Sequence, residues 1–301
     1  MRYIRRFAYL AVPALLFIAP TAAADDFKDI KDTVKKSFRV EPGGTLAIDI
    51  DKGNVEIRSS SESMVYVEVE RTVTVDSKED AKRLLDRHQL EMYQRSNDVI
   101  VLSRLEDVGR SWKRWSDRDQ VKLRVVVRVP AEYNVDFTTG AGNVEAADID
   151  GRVEGQTGAG NIHIGRVSGE VVVNTGSGNV DIDGARGSVE VNTGAGNVSI
   201  GEVGGEVTAS SGAGNIEVLI TRQPSSRSRL ETGAGNVTVY LADNVGIDVQ
   251  GETGIGSAST DFGLKVDGSW MSKSFRGSVN GGGPSLTMSS GVGNVELRSR
   301  R

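Results

Sequence analysis

The sequence predicts an all-β protein: a parallel, right-handed β-solenoid with short turns of about 18 residues and an elaborated N-terminal β cap carrying one helix. Three observations carry that expectation. The motif Thr/Ser-Gly-x-Gly-Asn-Val/Ile begins at Thr139, Thr157, Thr175, Thr193, Ser211, Thr232 and Ser290, with a worn copy at Thr253. Successive starts lie 18, 18, 18, 18, 21, 21 and 37 residues apart. Within a unit the apolar residues alternate: Val198 and Ile200 with Asn197 and Ser199, then Val207 and Ala209 with Glu206 and Thr208. A period of two marks strands with one apolar side, which a single unit cannot bury and a stack can. Finally, 33 of the 37 Gly fall from residue 139 onward, while aromatic residues make up only 5% of the chain. Gly at sharp corners and an aliphatic core suit a slim, repeating cross-section.

The elements follow in chain order. Residues 1–24 are expected to form a secretory signal: Arg2, Arg5 and Arg6 precede an apolar run at 7–18, Pro20 breaks it, and Ala22, Ala23 and Ala24 supply the small cleavage residues. The run is short for a membrane span. General export is preferred over the twin-arginine route, because the residues around Arg5-Arg6 fit the latter poorly. Cleavage after Ala24 would leave 277 residues and move the net charge from −5 to −8. With no Cys for lipidation and no later apolar span, a soluble periplasmic or secreted protein is expected.

Residues 25–36 are expected to be a loose, charged lead-in, and residues 37–137 a β cap closing one end of the stack. Its strands are placed at 37–40, 45–51, 55–59, 65–75, 90–95, 99–105 and 121–129. Turns fall at Pro42-Gly43-Gly44 and Lys52-Gly53-Asn54, the latter a trimmed first corner of the solenoid. A helix is expected over 78–89, capped by Asp76 or Ser77, with Leu84 and Leu85 inward.

Residues 138–301 hold the repeats, continuous with the cap. The corner pairs are Gly140 and Gly142, Gly158 and Gly160, Gly176 and Gly178, Gly194 and Gly196, Gly212 and Gly214, Gly233 and Gly235, and Gly291 and Gly293. Each is followed by Asn: Asn143, Asn161, Asn179, Asn197, Asn215, Asn236 and Asn294. Stacked in register, these amides could hydrogen-bond from turn to turn as a ladder, a structural role. The 37-residue gap is expected to hold about two units, one without its motif. Eight or nine turns at about 4.8 Å each give a rod on the order of 40 Å long.

Three stretches carry a family resemblance: Val40-Glu41-Pro42-Gly43-Gly44-Thr45-Leu46 with Gly53-Asn54-Val55-Glu56-Ile57; Val129-Pro130-Ala131-Glu132-Tyr133-Asn134-Val135 running into Thr138-Thr139-Gly140; and the iterated Gly-Asn-Val/Ile units. With them the chain resembles the adhesin-like β-strand-repeat family, exported bacterial proteins classed as a domain of unknown function. The resemblance covers nearly all of the chain beyond the signal. It implies an exported β-solenoid without a known catalytic role.

Signals of chemistry are sparse. Absence of Cys removes thiol nucleophiles, thiolate metal sites and disulfides. The mild acidic balance argues against nucleic acid. Of the two His, His88 is placed near the helix end, where a cation suits the dipole, and His163 in an outward slot. No nucleophile, base and orienting acid assemble, so no catalytic residue, cofactor or metal site is expected. Calcium-binding β-rolls carry Asp two residues after the last Gly, where this chain has Val or Ile. Asp181 and Asp183, or Asp148 and Asp150, could bind calcium weakly, but scattered exposed carboxylates usually do not. The Gly-x-Gly runs lack the Lys-Ser/Thr and helix of a phosphate loop.

Two segments break the pattern, 109–118 and 263–277, and together they hold all 3 Trp. Trp112, Arg114, Trp115, Trp270 and Phe275 are the candidate interaction residues, since aromatic and Arg side chains dominate binding hot spots. The alternative is that the rings close the ends of the core. The expected function is a non-catalytic, adhesin-like scaffold of the cell envelope for a protein or glycan partner. The alternatives are a polysaccharide-active β-helix enzyme or an envelope-stress sensing component. Neither the partner nor the oligomeric state is legible in the sequence.

Overall fold

A computed structural model describes residues 28–75, 77–105, 121–268 and 271–300. The cap consists of β1 (Lys28–Arg39), β2 (Thr45–Ile50), β3 (Asn54–Ser60), β4 (Met64–Val75), α1 (Lys78–Arg87), β5 (His88–Arg95), β6 (Asp98–Leu105) and β7 (Val121–Pro130). The repeats start with β8 (Asn134–Thr139) and β9 (Val144–Ala146), joined by the first Gly-x-Gly corner. Each later unit repeats that pair. Among the described residues the strands form a 12-stranded and a 13-stranded sheet, each unit giving one strand to each. The units stack in parallel register, Val171 beside Val189 beside Val207 on one sheet and Ile164 beside Ile182 beside Ile200 on the other. Those inward columns are at most 2% exposed, as alternation requires when only one side of each strand meets the core. The expected all-β solenoid stands.

The order of the layers differs from the order of the chain. The layer ending in the Ser290 motif does not follow the Thr253 layer. It slides between that layer and the Thr232 layer, pairing Thr232 with Ser290 and Ser290 with Thr253. The 37-residue gap therefore conceals no worn turn. It holds an excursion in which strand Lys273–Val279 runs antiparallel to Ile247–Ile255 and covers its edge. The chain then returns to fill the place left inside.

The N-terminal end is built the same way. The β2–β3 layer lies second, between β8–β9 and an outer layer made by β6 and β7. Antiparallel β5 then covers β6, and antiparallel β4 covers β7. Among the described residues the stack has ten layers. The antiparallel strands end the parallel stack at these edges.

Residues 28–36 are not loose. They belong to β1, antiparallel to β4. Charges dilute the apolar alternation of Ile30, Val34 and Phe38, but they meet opposite charges on β4: Lys31 with Glu70 at 3.1 Å, Lys35 with Glu68 at 3.1 Å, and Asp32 with Arg71. The helix is capped by Ser77, whose hydroxyl accepts from the Asp80 N–H at 3.1 Å. Ala81 is its buried residue, with Leu84 and Leu85 half-buried beside Val73 and Val121. It stops at Arg87, because His88 turns extended and opens β5.

Rings do fit the narrow core where the next layer offers a Gly. Phe137 is fully buried against Gly155, its register partner, and Phe275 against Gly251. A Cβ on either Gly would overlap the ring.

Candidate functional site

Each corner residue has a distinct task. Beyond Thr139, which turns to the Ala141 carbonyl of its own corner, the buried motif hydroxyl donates to a Gly carbonyl one layer back: Thr175 to Gly160 at 3.2 Å, Thr193 to Gly178 at 3.1 Å, Ser211 to Gly196 at 2.9 Å. This accounts for Thr or Ser there, since a buried carbonyl left unpaired is costly. The second Gly holds a positive φ, +148° at Gly178, and a Cβ there would overlap the Gly160 carbonyl. The Asn ladder exists in a different form from the one expected. Each Asn Oδ1 accepts the backbone N–H of the Asn in the next layer, at 2.8–3.0 Å, rather than pairing amide with amide. The line runs from Asn54 through Asn236 to Asn294 and ends on the Ser257 N–H, tracing the swapped layer order.

Beside the corners, on the outer face of the 13-stranded sheet, lies a groove of about 620 Å³ crossing four layers. Thr138, Gln156, Asn174 and Asn192 stand side by side along it. Gln156 Nε2 donates to Thr138 Oγ1 at 3.3 Å, and Asn192 Nδ2 to Asn174 Oδ1 at 3.0 Å. Among the described residues, Gln156 Oε1 and Asn174 Nδ2 have no hydrogen-bond partner. The groove thus offers both an acceptor and donors.

The outer face of the 12-stranded sheet is charged. Glu56 is held by Arg58 and by Arg124 at 2.7 Å, and hydrogen bonding to Arg58 outweighs its burial, keeping its carboxyl below the usual range. A depression of about 410 Å³ opens next to it, lined by Glu145, Asp148, His163 and Asp183 among others. Register places His163 beside Asp181, with Nδ1 3.4 Å from the Asp181 carboxylate, and Asp183 two residues further along the same strand. One ligand atom from each of the three lies within 4.8 Å of the others. The sequence pairs Asp181 with Asp183 but sets His163 apart from them. The 18-residue period was the signal that 163 and 181 must be neighbours.

Trp112, Arg114, Trp115 and Trp270 lie outside the described residues, as do residues 1–24. Phe275 is 2% exposed and packs in the core, so it offers no ring to a partner; there the core-closing alternative holds. Near it Met271 and Val266 are exposed, at 49% and 40%. His88 is not a solvated cation at a helix end. It is buried, with Nε2 2.7 Å from Ser103 Oγ and Nδ1 3.4 Å from Arg71. Burial, and then the Arg71 charge, hold it below the ordinary imidazole value. Tyr133, buried below Gly44 with Asp98 near, is pushed up to about 12. No helix among the described residues is long and apolar enough to cross a membrane.

The family model described as Toastrack DUF4097 matches residues 44–296. No curated protein matches the sequence. Among solved structures, a "putative cell adhesion protein" from Clostridium sporogenes is 15% identical, covering 89% of this chain and 100% of its own, with a TM-score of 0.29. A "putative adhesin" from Bacteroides fragilis is 12% identical, covering 89% and 97%, with a TM-score of 0.44. A "putative lipid binding protein" from Parabacteroides distasonis is 12% identical, covering 90% and 97%, with a TM-score of 0.27.

Proposed function

The chain belongs to the Toastrack DUF4097 family, and from that premise we propose a non-catalytic, exported scaffold of the cell envelope that binds an extended glycan along its polar groove. One observation carries the reading. The row Thr138, Gln156, Asn174, Asn192 repeats amide and hydroxyl groups at the layer spacing, with Gln156 Oε1 and Asn174 Nδ2 left over for a ligand. A polymer of hydroxyl-bearing units can satisfy such a row over several layers at once. Each contact is modest, about 1 kcal/mol net, and repetition along a polymer raises the total. Export rests on the signal reading of residues 1–24, and absence of catalysis on the lack of an assembled nucleophile and base in the sequence.

The test is binding of purified protein to a panel of bacterial surface polysaccharides by biolayer interferometry. Gln156→Ala with Asn174→Ala should weaken a polysaccharide ligand by roughly tenfold or more at unchanged fold, about 1 kcal/mol per lost contact. Unchanged affinity in the double variant, or no binding across the panel, would overturn the reading.

A further inference from the structure

We propose that His163, Asp181 and Asp183 form a binding site for a divalent transition ion of the Zn²⁺ class, on the face opposite the groove. The backbone places these groups. His163 and Asp181 are register partners on neighbouring parallel strands, Ile162–Val167 and Val180–Ala185, and both strands are locked on each side by further layers. Asp181 and Asp183 are two residues apart on one strand, so both point outward.

Zn–N and Zn–O bonds of about 2.0–2.2 Å in a tetrahedron set ligand atoms about 3.4 Å apart. His163 Nδ1 and Asp181 Oδ2 stand 3.4 Å apart, and one ligand atom from each of the three residues lies within 4.8 Å of the others. A rotation of the exposed Asp183 side chain closes the remainder.

Some other acids on the same sheet are already held by basic side chains. Glu56 is neutralised by Arg58 and Arg124, and Glu296 by Arg298 at 2.9 Å. Among the described residues no Lys or Arg pairs with Asp181 or Asp183. Two carboxylates held close on a rigid sheet repel, and a cation between them relieves that repulsion. The imidazole selects the ion: nitrogen donors suit Zn²⁺, while Ca²⁺ and Mg²⁺ take sets of oxygen ligands. Three protein ligands leave a fourth position open.

The test is isothermal titration of the purified full chain with ZnCl₂ and, separately, with CaCl₂ at neutral pH. Binding of one Zn²⁺ per chain is expected, with Ca²⁺ at least tenfold weaker. His163→Ala and Asp183→Asn should each weaken Zn²⁺ by at least tenfold and leave the thermal melt without metal unchanged. His163 is half-buried in a slot that takes Glu145 in the neighbouring layer, and Asp183 is exposed. NMR of the imidazoles gives an independent readout: Zn²⁺ should shift His163 and leave buried His88 in place. The proposal is overturned by absence of one-to-one binding, by wild-type zinc affinity in His163→Ala, or by calcium binding as tightly as zinc.

Discussion

Deleting residues 284–301 removes the last stretch of chain but not the last layer of the stack. In a solenoid stacked in chain order, losing the terminal turn would cost one interface and leave a slightly shorter rod. Here the deleted strands, Ser285–Val292 and Val295–Ser299, pair with the Thr232 layer on one side and the Thr253 layer on the other. Leu286, Met288, Val295 and Leu297 are each at most 1% exposed. At about 1.5–3 kcal/mol for each buried side chain, their loss removes about 6–12 kcal/mol. That is comparable to the whole stability of a typical domain, about 5–15 kcal/mol. The two hydrogen-bonded interfaces and the Ser290 and Asn294 links vanish with them. Urea unfolding followed by far-UV circular dichroism measures the effect. The truncated chain should lose the Thr253 layer and its covering strand and approach the threshold of unfolding. A cooperative transition within about 2 kcal/mol of the full chain would show that the Thr253 layer docks equally well on the Thr232 layer, and would refute the reasoning.

Three further outcomes follow from the same geometry. Asn197→Ala leaves the Asn215 N–H without its 2.9 Å acceptor; the site is exposed, so water softens the loss to about 1 kcal/mol in urea unfolding, and several such substitutions along the ladder should accumulate. Gly155→Ala should destabilise by overlap of its Cβ with the Phe137 ring, by about 1–3 kcal/mol, and Phe137→Leu should recover part of that loss in a double-mutant cycle. His88 holds fewer protons in the folded state than unfolded. The stability due to its neutral form is complete above the unfolded value near 6.5 and lost as pH falls through the lower folded value. His88→Gln should therefore flatten the slope of unfolding free energy against pH below about 6.5.

Much of this architecture is legible in the sequence because the layers are local. Alternation gives strands, and an 18-residue repeat gives the register that aligns Val171, Val189 and Val207. The layer order at the ends is not legible in that way. Which layer the Ser290 unit joins depends on which edge is left open by distant segments, and the Thr232 and Thr253 layers carry the motif and its worn copy. In β1 the pattern is masked because the charges of Lys31 and Lys35 are satisfied by Glu70 and Glu68 of β4, far along the chain. Phe137 and Phe275 look too large for a narrow core until the opposed Gly is known. The candidate sites divide likewise. The amide row and the His163–Asp181 pair both follow from the 18-residue period, whereas the approach of Asp183 to that pair is set by side-chain placement.

Cross-linking tests the insertion of the last layer most directly, since the chain has no Cys of its own. Glu231 lies beside Ser289, and Ser289 beside Glu252. Register neighbours one layer apart, about 4.8 Å, are within disulfide reach, and residues two layers apart are not. Under mild oxidation, Glu231→Cys with Ser289→Cys should cross-link efficiently, and Glu231→Cys with Glu252→Cys should not. The reverse result, a bond between positions 231 and 252 and none between 231 and 289, would mean that the layers stack in chain order.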